Sequence, residues 1–271
     1  MVVCSCMSDR LFDQKKSESS PALKVALCQI FCLDGDRAGN LARIDHALAE
    51  AKALGAQIAC FPETALLGWV NPAAHERAHP IPGKDSETLA ALCRKHKIWI
   101  CCGLAEKAGE ALHDSALLLD SEGRLVLTHR KINVLSSLMD PPYTPGETVR
   151  VAETPLGRVG LLICADSFQE KNLERMAALE PDVVLIPYGW AAPEDWWPGH
   201  GAQLEKTVRV AARAIGAPVV GTDLVGAIAN GPWRGYVYGG QSLAVDRDGT
   251  VLARCGDRIR DVRIVEVPLV E

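Results

Sequence analysis

The 271-residue chain carries 34 acidic and 29 basic residues, a formal net charge of −5, with the two signs interspersed. That balance gives no basic surface for nucleic acid, and no apolar run approaches the 18 or more residues of a membrane span. A chain of this size buries roughly three quarters of the surface it exposes when unfolded, so it needs no disulfide or metal to hold it together.

Residues 1–22 are polar, lack apolar periodicity and read as a flexible tail without the apolar stretch of a secretory signal. The ten cysteines are scattered, several inside apolar runs, which suits thiols in a reducing cytosol. Neither Cys4-Ser5-Cys6 nor the Cys28 and Cys32 pair has the second CxxC or the His pair of a zinc site, so neither metal nor cofactor is expected.

Order begins at LKVALCQIF (23–31), a strand. After Asp34-Gly35-Asp36, Leu41, Ile44, Leu48 and Ala51 recur at helical spacing, and the helix stops near Gly55. AQIACFPE is the next strand, SETLAALCRKH a short amphipathic helix, and KIWICCGLAE a strand whose Cys101 and Cys102 face opposite ways. HDSALLLDSEGRLVLTHRK predicts a hairpin about a Ser-Glu-Gly turn. GRVGLLICA, DVVLIPYG and APVVGTDLVG predict strands, separated by helices over NLERMAALE and QLEKTVRVAARAIG. QSLAVDRDGTVLARCG predicts a last hairpin about Asp248-Gly249. With no linker and no repeat, residues 23–271 form one α/β domain with mostly buried strands.

Three polar side chains interrupt the apolar pattern at strand ends: Glu63 in FPE, Lys131 in HRK and Cys164 in LLIC. Singly, they read as a solvated turn carboxylate, a surface lysine and an inert core thiol. Open α/β sheets gather ligands outside the carboxyl ends of their strands, where all three would meet. Their joint chemistry is coherent. A cysteine with a pKa of about 8.5 is only a few per cent thiolate at neutral pH and needs a base or a nearby cation. Glu63 could take its proton and Lys131 could favour the thiolate. Lys131 and the backbone N–H of Ala165 are then natural donors to the negative charge that builds on an attacked carbonyl oxygen or nitrile nitrogen.

FPE, HRK and GLLICAD, in that order and on those element ends, resemble the carbon–nitrogen hydrolase (nitrilase) superfamily. KVALCQ, FPETALLGW, HPIPGKDSETLAAL, YTPGETVRVAETPLGRVGLLICAD and GGQSLAVDRDGTVLA extend the likeness over nearly the whole ordered chain. The resemblance implies an αββα sandwich, two such sandwiches packed as a homodimer or larger homo-oligomer, and a Glu63–Lys131–Cys164 set acting as base, oxyanion donor and nucleophile. Asp166, two places after the cysteine, is the residue that amidase- and carbamoylase-like members carry, whereas nitrilases tend to carry Glu. Two departures stand out. CADSFQE lacks the arginine many relatives have after the nucleophile, and the second glutamate they often carry after the lysine is missing. Asp140 is the better substitute for it, and Glu147, in the Pro-Gly loop, the poorer one.

The segment IPYGWAAPEDWWPGHG holds Trp190, Trp196 and Trp197 after a strand end. Relatives line their substrate pocket with the matching loop, which makes Tyr188 and Trp190 candidates for substrate contact. His200 reads as a surface histidine. The expectation is a cytoplasmic thiol hydrolase that cleaves a C–N bond in a small amide or N-carbamoyl compound through a thioester or carbamoyl-thiol. Its only partners would be the small-molecule substrate and its own copies, without nucleic acid or membrane. A nitrilase using the same residues is the enzymatic alternative. A binding or scaffold protein that keeps the fold without turnover is the alternative from another class.

Overall fold

A computed structural model describes residues 22–269. The tail predicted over 1–22, except Ala22, and with it Cys4 and Cys6, lies outside them. The first half of the chain forms β1 (Ala22–Gln29), α1 (Arg37–Ala53), β2 (Ile58–Cys60), α2 (Ala74–Arg77), α3 (Lys84–His96), β3 (Trp99–Ala108), β4 (Ala111–Leu119) and β5 (Leu125–Arg130). Then come β6 (Val151–Thr154), β7 (Gly157–Leu161), α4 (Glu170–Ala177), β8 (Val183–Pro187), β9 (Ala191–Ala192), α5 (Gly201–Ile215) and β10 (Val219–Thr222). The chain closes with β11 (Val225–Ala227), β12 (Val237–Gly239), β13 (Leu243–Val245), β14 (Val251–Arg254) and β15 (Asp261–Pro268).

Two six-stranded sheets result, ordered β15-β1-β2-β3-β4-β5 and β14-β13-β10-β8-β7-β6, with a small β11-β12-β9 sheet beside them. The period of two along each strand sorts side chains between layers. Leu23, Val25 and Leu27 of β1 join Val159 and Leu161 of β7 in the core between the sheets. Ala26 and Cys28 turn the other way, onto Ile44 and Leu48 of α1 and Leu89 of α3. Cys101 and Cys102 divide in the same manner, one in each core. Helices α4 and α5 add Leu173, Met176, Leu204 and Val208 to the inter-sheet core's outer side, completing the expected αββα sandwich. Asp36 caps α1, its carboxylate accepting from the Gly39 N–H at 3.0 Å.

The strand expected over AQIACFPE stops at Cys60, because Pro62 has no N–H to continue a ladder. The strand expected over GRVGLLICA stops at Leu161, before the cysteine. Three features go beyond the sequence reading: the β6–β7 hairpin, the antiparallel pairing of β15 along β1, and the small sheet. β2, β3 and β5 point one way, since β4 is antiparallel to both of its neighbours, and β7, β8 and β10 are mutually parallel. The residues that follow these strands therefore collect at the sheet ends, where the three candidate side chains lie.

Candidate active site

Glu63 sits on a segment tied to two neighbours. Phe61 N–H donates to Cys101 O at 2.8 Å, Gly103 N–H to Pro62 O at 3.0 Å, and Glu63 N–H to Tyr188 O at 3.2 Å. This crossing requires glycine at 103, because a Cβ there would lie 2.6 Å from the Glu63 Cα. Lys131 follows β5 directly, and its N–H donates to Asp114 O at 2.8 Å.

Cys164 opens a 3₁₀ turn, Cys164–Phe168, with φ of 39°. A non-glycine residue in that left-handed region is strained, a feature common at functional sites. The turn is braced from three sides. Ser167 Oγ donates to Cys164 O at 2.7 Å and bonds Tyr188 Oη at 2.9 Å. Asp166 accepts from the N–H groups of Ile132 and Asn133 at 2.9 and 2.8 Å and from its own turn at Ile163 N–H at 3.1 Å. His129 Nε2 adds a 2.8 Å contact to the same carboxylate. Asp166 thus locks the cysteine turn to the two residues after Lys131. This fixing role, rather than any contact with substrate, accounts for the Asp the sequence singled out.

The three side chains converge. Lys131 Nζ donates to Glu63 Oε1, and both groups are buried. Burial pushes the Cys164 thiol well above its ordinary range, and the Glu63 carboxylate adds to the rise. The Lys131 ammonium and the Gly189 N–H oppose it without reversing it. The resting side chain is therefore a thiol, with a carboxylate in its field. Burial works against the charge on Lys131, yet Glu63 and Asp114 overcome it and hold the ammonium protonated far above its usual range.

Asp114, which the sequence reading missed, is the second carboxylate of the cluster. It is 1 % exposed, and its Oδ2 lies 3.4 Å from Lys131 Nζ. Asp140, expected in that role, is exposed beyond a surface turn at 136–138, and Glu147 is exposed as well. That turn carries the chain out to solvent, while the hairpin register sets Asp114 beside the lysine. Glu63 Oε2 and Asp114 Oδ1 are both buried without a hydrogen-bond partner. One proton on the carboxylate pair gives the cluster zero net charge. Burial and the Glu63 charge, against Lys131, push the Asp114 carboxyl well up. Asp114→Asn, which copies a neutral carboxyl, is therefore expected to keep kcat/KM within about tenfold of the parent. A required negative charge would make the loss 10²-fold or more on the scale of about 1.4 kcal/mol per decade.

The Cys164 side chain opens into a cavity of about 330 Å³. Trp190 lines it, joined by Trp196 and His200. His200 is not a free surface histidine, since its ring stacks on Trp190 with centroids 5.6 Å apart. Tyr188 does not line the cavity; it is fully buried and bonded to Ser167, so it supports the cysteine turn from below. Trp197 is also buried, against Gly239. Ala165 is buried directly behind Cys164 in the turn. Trp69, Trp233 and Tyr236, from loops distant in sequence, line it as well. Among the described residues all eight cysteines are unpaired and buried, and no group of three His, Cys, Asp or Glu is arranged to hold a metal. Of those eight, Cys164 is the one that reaches this cavity. Peptide mapping after brief iodoacetamide treatment is expected to find Cys164 alkylated first; equal labelling of Cys28 or Cys255 would contradict that order.

Sandwich, strand-end convergence and buried Glu–Lys–Cys cluster together define one class of protein, and the chain belongs to the Carbon-nitrogen hydrolase family, whose sequence profile matches residues 24–271. Among individual relatives, the (R)-stereoselective amidase of a Pseudomonas species is 31% identical over 248 residues, covering 89% of this chain and 84% of that protein. A bifunctional nitrilase/nitrile hydratase of Nicotiana tabacum is 28% identical over 173 residues, and the match spans 56% of this chain but only 49% of that protein. The crystal structure of an amidase from a Nesterenkonia species superposes with a TM-score of 0.79 at 24% identity, covering 91% of this chain and 90% of that one, and shares its fold.

Proposed function

We propose that the protein is a thiol amidase that hydrolyses a small amide or N-carbamoyl compound through a covalent bond to Cys164. The observation that carries this reading is the Glu63–Lys131 pair buried beside a strained cysteine whose sulfur opens into a cavity. Glu63 takes the thiol proton as Sγ bonds to the carbonyl carbon. The charge that forms on the carbonyl oxygen meets the Lys131 ammonium and the Ala165 N–H. Glu63 returns its proton to the nitrogen as the C–N bond breaks, and ammonia or amine leaves behind a thioester. Water, losing a proton to Glu63, attacks the thioester carbon. The acid departs, and the proton goes back to sulfur.

Two findings on similar proteins support the reading. A variant of the Nesterenkonia amidase carries the acetamide moiety of fluoroacetamide on its active-site cysteine. The Pseudomonas amidase matches across most of both chains, whereas the tobacco nitrilase/nitrile hydratase matches across only 49% of its length, which favours amides over nitriles. The test is acid quenching during turnover of a panel of primary amides, followed by mass spectrometry. A Cys164 peptide heavier by the acyl group, and absent in Cys164→Ala, is the expected result. Ammonia release that persists in Cys164→Ala would sink the mechanism. Absence of both release and adduct across the panel would favour the scaffold reading.

A further inference from the structure

The cavity above Cys164 is unusual in what it lacks. Its aromatic lining comes from separate stretches of chain: Trp69, Phe168, the Trp190 and Trp196 segment, and the Trp233 and Tyr236 segment. The rings brace one another: Phe168 meets Trp190 edge-on at 5.6 Å, Trp69 meets Trp233 at 5.7 Å, and Trp233 stacks on Tyr236 at 5.4 Å. Among the described residues, no Asp, Glu, Lys or Arg lines the space. His200 is the one imidazole there, and burial holds it below its usual range, towards the neutral form.

Charge on a substrate would be poorly served here. A carboxylate would leave water for an aromatic wall without a cation to pair it, which is costly. The buried cluster below offers no relief, because Lys131 already bonds Glu63 and Asp114. A substrate ammonium could be drawn to aromatic faces. Here the Lys131 Nζ already lies 5.6 Å from the Trp69 ring centroid, so a second cation would face an ammonium across that ring. Arg234, between Trp233 and Tyr236 in sequence, is exposed and does not line the cavity.

We infer that the site accepts amides whose acyl group is neutral and apolar, aromatic or branched, and excludes those bearing a carboxylate or an ammonium on that side. The inference rests on the thiol-amidase reading for its turnover test, and a binding test separates the two. It narrows the substrate class, because N-carbamoyl amino acids and half-amides of dicarboxylic acids fall outside it.

The experiment compares kcat/KM for phenylacetamide and isobutyramide with that for succinamic acid and glycinamide, together with quenching of tryptophan fluorescence in Cys164→Ala by the same four compounds. The expected result is a preference of about 100-fold or more for the neutral pair, unchanged in Arg234→Ala. Trp190→Ala is expected to raise KM for phenylacetamide with a smaller effect on kcat. Comparable turnover of succinamic acid or glycinamide overturns the inference while leaving the amidase reading intact. Quenching by the neutral amides alone, without turnover, supports the pocket assignment and removes the amidase reading. Neither quenching nor turnover by phenylacetamide overturns both.

Discussion

Lys131→Met is expected to lower kcat by roughly 10²–10³-fold and to lower folding stability by about 3–5 kcal/mol, the usual consequence of removing one partner of a buried ion pair. Methionine fills similar volume without charge, so the loss reports on electrostatics rather than on a cavity. Glu63 and Asp114 then remain buried with no cation between them. Their folded-state pKa values must rise, so the folded variant holds protons that its unfolded chain releases above about pH 4. The sign follows: stability of the variant is best preserved at acid pH and declines as pH rises, by up to about 1.4 kcal/mol per pH unit for each carboxyl that stays protonated. Urea unfolding at pH 5 and pH 8 measures this. A variant equally stable at both would mean that the carboxylates had found other partners. The catalytic loss has a separate origin, since removing one donor to a developing oxyanion typically costs on the order of 10²–10³ in kcat.

Glu63→Gln is expected to reduce kcat/KM by roughly 10²–10⁴, the range for a positioned general base, while making the thiol easier to ionise. The two effects run in opposite directions because Glu63 does two things to Cys164. On the proposed mechanism it accepts the proton, and its negative charge raises the thiol, which Lys131 and the Gly189 N–H only partly offset. Glutamine removes both influences and leaves the ammonium in place. Alkylation of Cys164 by iodoacetamide, followed against pH, should therefore turn on at lower pH in the variant than in the parent. A midpoint moved upward instead would remove Glu63 from the thiol's surroundings, whatever happened to turnover.

Much of the site was legible because Glu63, Lys131 and Cys164 each break an apolar run at a strand's carboxyl end. The topology brings those ends together. Asp114 was hidden for the complementary reason: it lies near the start of an antiparallel strand, inside HDSALLL, where a polar residue reads as an interruption. Its place opposite Lys131 also depends on a bulge. The β4–β5 pairing changes register between Leu118 and Leu119, from Leu119 opposite Leu125 to Leu118 opposite Leu127. Counting back from the turn without that extra residue would set Asp114 against Arg130 and turn the lysine to the other face. Asp140 misled through closeness in sequence to the lysine, a quantity that says little once a surface turn intervenes. Tyr188 misled because an aromatic residue past a strand end reads as pocket lining, whereas its hydroxyl is committed to Ser167. The strands of the small sheet, two or three residues each, are too short to show any alternation. The aromatic walls of the cavity were half visible: the Trp190 loop stood out in sequence, but Trp69 and Trp233 reach the cavity only through the fold.

The left-handed backbone at Cys164 also bears on which residue the position suits. Any side chain with a Cβ gives up about 1–2 kcal/mol in that conformation, and glycine is the one residue that does not. A change to glycine would release that strain but would give up the contacts of a side chain buried in the core between the sheets. On the proposed mechanism, the strained backbone at this position serves the sulfur rather than folding.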